Sequence, residues 1–86
     1  MTEDKLLIRS FKAGSGDALQ RIFLKYRKTL LKLAVTLLGD VNSAEDAVHD
    51  VFVNFAQCAH TIRVKGNLKS YLATCVANRI RNHHRD

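Results

Sequence analysis

The chain has no proline and no tryptophan, and only four glycines, two cysteines and six Phe or Tyr side chains among 86 residues. Lacking proline, and poor in glycine and aromatics, it has little of the turn chemistry that closely spaced strands require, which argues against a sandwich or barrel. Cys58 and Cys75 are too few and too isolated for a disulfide framework. Each falls in an apolar helical pattern and is read as a reduced, buried thiol. No apolar run reaches membrane-spanning length, and the N-terminal MTEDKLLIRS has no signal-peptide layout. The expectation is a cytoplasmic protein with no membrane partner. A 47% hydrophobic content is that of a folded chain, and this length suits one small domain spanning residues 1–86.

A further absence concerns charge. The net charge is +6, yet from Val51 to Arg85 there is neither Asp nor Glu. That stretch holds Arg63, Lys65, Lys69, Arg79, Arg81 and Arg85, with His60, His83 and His84. Clustering of one sign is the electrostatic footprint of a polyanion-binding surface. A solvated helix end explains the last arginines through the macrodipole, but not the cations around Gly66. Conversely, four of the eight acids, Asp40, Glu45, Asp46 and Asp50, fall within eleven consecutive positions.

Hydrophobic periodicity gives four helices and an all-α fold, a compact bundle. The first covers about 3–12, with Leu6, Leu7 and Phe11 on one face, and AGSGD ends it. The second runs from about 17 to 38, capped by Ser15 or Asp17. Its apolar stripe is Leu19, Ile22, Phe23, Tyr26, Leu30, Leu33, Ala34, Leu37 and Leu38. Arg21, Lys25, Lys28 and Lys32 lie opposite, as a solvated face. Gly39 stops this helix in left-handed conformation. The third helix extends to about Ala59, begun by a Ser43–Asp46 capping box or by Asn42. Its inward face is Ala44, Ala47, Val48, Val51, Phe52, Phe55 and Ala59. After the polar HTIRVKGN, the fourth helix runs from Asn67 or Leu68 to about His83 on Leu68, Tyr71, Leu72, Cys75, Val76 and Ile80.

The chemistry such a chain can carry is narrow. Cys58-Ala59-His60 is too tight for paired zinc-ligand spacing, and Cys75 sits in an apolar stripe, so no metal or other cofactor is expected. Without a nucleophile elbow, a phosphate-cradling glycine loop or an H-E-x-x-H pair, no catalytic residues can be assigned and the protein is not expected to be an enzyme. Two clusters remain. Acids in a first helical turn complement the dipole and Asp46 can cap, but Asp50 lies further in, four residues from the like charge of Asp46. With His49, these acids form a ridge suited to a basic partner. In the second cluster, Arg63, Lys65 and Lys69 surround Gly66 and Asn67, and Asn78, Arg81, Asn82 and Arg85 recur at spacings of three or four. Arginine and asparagine suit base edges, and lysine suits phosphate; a solvated face is the alternative.

The stretches LLGD…AEDAVHDVF and YLATCVANRIRNHHR, in this order and separation, resemble region 2 of sigma-70-family sigma factors, nearest the extracytoplasmic-function (ECF) type. The resemblance runs from about Leu6 to Arg85. It implies a transcription initiation factor domain whose third helix docks on the β′ clamp helices of RNA polymerase core through Asp46, His49, Asp50 and Val53. It also implies that the following loop and fourth helix hold the non-template strand of the promoter −10 element. That role falls on His60 to Ser70, including Arg63, Lys65, Asn67, Lys69 and Ser70, and on Asn78, Arg79, Arg81 and Asn82. Opening the strands would be helped by capturing a flipped base. An anti-sigma factor is a further candidate partner; a degenerate sigma-like module that binds polymerase or such a regulator without DNA is the alternative.

Three positions depart from the pattern. His49 stands where glutamine is commonest, which would make the clamp contact sensitive to pH near the histidine pKa. Thr74 and Cys75 replace the melting aromatics of primary sigma factors, as in the ECF group. The helix-turn-helix region 4 is absent from this chain, which implies a domain of a longer factor.

Overall fold

A computed structural model describes residues 3–58 and 67–85, with side chains as far as Asn82. The order is α1 (Glu3–Lys12), α2 (Gly16–Leu38), α3 (Val41–Gln57) and α4 (Leu68–Arg85), and no strand occurs among the described residues. The all-α bundle read from periodicity is the fold observed. Its extents are 36 × 22 × 22 Å.

Local chemistry sets the helix ends. Gly14, at φ 101°, closes α1, and Ser15 then caps α2 by accepting from the Ala18 N–H at 3.2 Å. Gly39 adopts φ 73° and returns its N–H to the Val35 carbonyl at 2.7 Å, ending α2. Asp40 follows in extended conformation and caps α3. Its Oδ2 accepts both the Ser43 N–H at 2.9 Å and the Ser43 hydroxyl at 2.7 Å. The expected Ser43–Asp46 box and the Asn42 cap are therefore corrected. The left-handed glycine reverses the chain within one residue, so α3 starts earlier and Ser43 donates to the cap instead of being it. Asn67 plays the capping role for α4, with Oδ1 accepting from the Ser70 N–H at 2.7 Å.

α2 is the central helix and packs against the other three, while α3 also packs on α4. Its buried stripe is narrower than the sequence suggests: Ala18, Ile22, Tyr26, Leu30 and Ala34, a strict four-residue repeat. Leu19, Phe23, Leu33 and Leu38 are half-buried and Leu37 is exposed, as is Leu6 on α1. Three neighbours surround α2 without enclosing it, so the flanks of its apolar face stay open. α3 buries Ala44, Ala47, Val48, Val51, Phe52 and Phe55 as expected; Ala59 lies outside the described residues. In α4, Leu68, Leu72, Val76 and Ile80 are buried, whereas Tyr71 and Cys75 are half-buried.

Aromatic rings tie the helices together around α3. Phe55 stacks on Phe11 of α1 at 4.6 Å, and Phe52 meets Phe23 of α2 edge-on at 4.8 Å. Tyr71 of α4 lies 6.2 Å from Phe55. α1 is held further by Asp4, which accepts from the Tyr26 hydroxyl and, at 2.6 Å, from Lys25 Nζ. Partial burial works against the charge on Asp4, but the bonds from Lys25 and Tyr26 prevail and its pKa is lowered.

Candidate nucleic-acid interface and docking ridge

α3 has surface left on both flanks because its core stripe takes up only one side. Glu45, Asp46 and His49 are exposed on α3 beside Arg27 and Leu31 of α2, Asp46 also borders a depression shared with Arg79 and Ile80 of α4, and Val53 keeps 41% of its surface accessible. α3 has no acid in its first turn, since it begins at Val41. Capping therefore explains neither Glu45 nor Asp46, which make no ion pair among the described residues and leave an acidic corner facing solvent. Beside it, an apolar groove of about 330 Å³ runs between α2 and α3, bordered by His49 and Val53 and lined by Leu19, Phe23, Phe52 and Ala56. Sequence reading missed this groove, because it assigned Leu19, Phe23 and Phe52 to the core. The signal available was the width of the α2 stripe, broader than one helix can bury here.

On its other side α3 faces α4 across a cleft of about 620 Å³. Asp50, Asn54 and Cys58 line it from α3; Tyr71, Cys75, Asn78, Arg79 and Asn82 line it from α4. The α3 set steps by four, and the α4 set steps by three or four apart from the adjacent Asn78 and Arg79, so each forms one stripe. Arg79 and Asp50 join across the cleft, Nη2 donating to Oδ2 at 2.7 Å, with both side chains a little under half exposed. Asp50 was expected on the docking ridge beside Asp46; it sits at the ridge's edge and reaches toward α4. The pair also answers the like-charge problem, because Arg79 offsets the repulsion between Asp46 and Asp50.

Not all residues assigned to nucleic acid meet in the cleft. Asn78, Arg79 and Asn82 do; Arg81, Lys69 and Ser70 are exposed elsewhere on α4. The carboxamide oxygen of Asn67 is committed to the helix cap. Arg63 and Lys65 lie outside the described residues, as does the side chain of Arg85. Asn54 is an addition, legible in retrospect as one turn beyond Asp50.

Both cysteines are without a disulfide and half-buried, not fully buried as read from periodicity, because they line an open cleft. Burial pushes the Cys75 thiol pKa up, keeping it protonated at neutral pH. Among the described residues no three His, Cys, Asp or Glu come together as metal ligands; His60 and the side chains of His83 and His84 lie outside them. No described helix is long and apolar enough to cross a membrane.

The described residues thus form an all-helical domain with an acidic, partly apolar ridge and an amide- and arginine-lined cleft on its third helix. Residues 22–86 match the Sigma-70 region 2 family, and the chain belongs to that family of non-enzymatic transcription initiation domains. The match takes in most of α2 and all of α3 and α4, the helices that build both surfaces. No curated protein and no solved structure matches the chain.

Proposed function

We propose that this domain serves promoter recognition in an ECF-type sigma factor, using the two sides of α3 for two partners. The ridge of Asp46, His49 and Val53 docks on the β′ clamp helices of RNA polymerase core, while Asp50 turns from its edge to Arg79 of α4. The acids meet basic side chains and the adjoining groove takes an apolar one. The α4 side holds the non-template strand of the −10 element: Lys69 and Arg81 serve phosphates, and Asn78, Arg79 and Asn82 serve bases. Asn67 and Ser70 present the start of α4 to the strand, and Arg63, Lys65 and Arg85 add positive charge along the sequence on either side.

The observation that carries this reading is the placement of charge. The unpaired acids Glu45 and Asp46 stand near the start of α3, while α4 carries no acid and presents Lys69 and Arg81 exposed. A chain evolved for one partner would have no reason to keep the signs apart.

The deciding experiment is core binding by Asp46→Arg. Asp46 is exposed and caps nothing, so the variant keeps the wild-type helical circular dichroism and melting temperature. Binding to polymerase core is expected to weaken by about tenfold or more, as for like charge placed in an interface. Core binding equal to wild type would remove the ridge as the docking surface.

A further inference from the structure

We propose that Asp50 is a positioning residue for Arg79, and that Arg79 so held reads a base edge instead of neutralising a phosphate. This rests on the nucleic-acid reading of α4 given above and assigns the cleft a part in sequence selectivity.

The argument starts from the ion pair. A guanidinium has five N–H donors in a planar fork. One nitrogen, Nη2, is engaged by Asp50 at 2.7 Å, which restrains the fork where Arg79 lines the cleft. The bond spans two helices, so the orientation is set by the packing of α3 on α4 and not by a neighbour on the same helix. Arg79 is also electrically compensated. A cation already paired with a carboxylate releases few counterions when DNA arrives, so it contributes little to salt-dependent affinity.

The company it keeps supports the same reading. Asn54, Asn78 and Asn82 share the cleft with Arg79, and carboxamides offer a donor and an acceptor together. Oriented arginine and asparagine forks are the groups that discriminate base edges. Lys69 and Arg81, by contrast, lie outside the cleft, are exposed, and make no ion pair among the described residues. The structure thus sorts α4 cations into a held one among amides and loose ones on the outer surface.

The test uses the chain mixed with polymerase core. Its preferred single-stranded DNA is first selected from a random pool, then varied one base at a time, with core alone as the blank. Arg79→Ala and Asp50→Asn should each flatten the preference at the same one or two bases by about tenfold. The slope of log affinity against log salt should stay as in wild type. The double variant should be no less selective than Arg79→Ala alone. Arg81→Ala should instead weaken every oligonucleotide equally and reduce the slope by about 0.7. Melting of each variant by circular dichroism should stay within a few degrees of wild type, since the pair is half exposed.

The proposal is overturned if Arg79→Ala weakens all sequences alike and lowers the salt slope. It is equally overturned if Asp50→Asn loses core binding while base preference persists, which would return Asp50 to the docking ridge. If the wild-type mixture retains no DNA beyond the core blank, the nucleic-acid reading itself fails and this inference with it.

Discussion

Between α2 and α3 the backbone turns on two residues, and each is chosen by its own chemistry. Gly39 occupies the left-handed region, where a Cβ meets no neighbouring atom but strains its own backbone. Gly39→Ala is therefore expected to destabilise the fold by about 1 kcal/mol in urea denaturation. Gly16→Ala has equally open surroundings and no positive φ, and is expected to be neutral or slightly stabilising. The same measurement made on both separates backbone conformation from packing.

Asp4 gives the residue scale a pH dependence. Its folded pKa lies below the ordinary aspartate value of about 3.8. The stabilisation it provides is complete above about that unfolded value and is lost as pH falls through the lower folded one. Asp4→Asn should accordingly lower stability at neutral pH and flatten its fall below about pH 4, read from melting temperature against pH. Gly39 and Ser15 were both legible as terminators and caps, because their conformational demands are local. Asp40 was not: whether Asp40, Asn42 or Ser43 caps depends on how sharply the preceding glycine turns the chain.

At the scale of elements, burial separates residues that periodicity alone treats alike. Leu72 is fully buried in α4, and Leu72→Ala should cost about 2–5 kcal/mol in denaturant titration. Leu37 follows the same apolar spacing in α2 but is 48% exposed, and Leu37→Ala should cost well under half as much. All four helices could be read from the sequence because each has one continuous apolar stripe, and their limits agree to within about two residues. The stripes came out too broad on α1 and α2, since a helical wheel shows which side is apolar but not how much of it a neighbour covers. α3 shows the converse: its acids were seen, but the division between a ridge and a cleft depends on where α4 lies.

For the whole molecule the governing fact is the separation of charge. With Arg79 paired, the described cations left for phosphate on α4 are Lys69 and Arg81, joined in sequence by Arg63, Lys65 and Arg85. Single-stranded DNA binding should therefore fall with salt at a slope of roughly 1.5 to 3.5, at about 0.7 per phosphate neutralised. A slope near zero would show that these cations do not meet the backbone of the strand. The positive half of the chain was plain in the sequence, as charge counts need no fold. That one of its arginines is spoken for was not, because Asp50 and Arg79 are 29 residues apart and only the α3–α4 packing brings them together.

The aromatic arrangement makes the molecule its own optical instrument. With no tryptophan, ultraviolet emission comes from two tyrosines. Tyr26 donates its hydroxyl to the Asp4 carboxylate, outside the cleft. Tyr71, half-buried against Phe55, forms part of the cleft wall. A ligand that enters the cleft therefore meets one of the two emitters directly, so its binding can be followed without an attached dye.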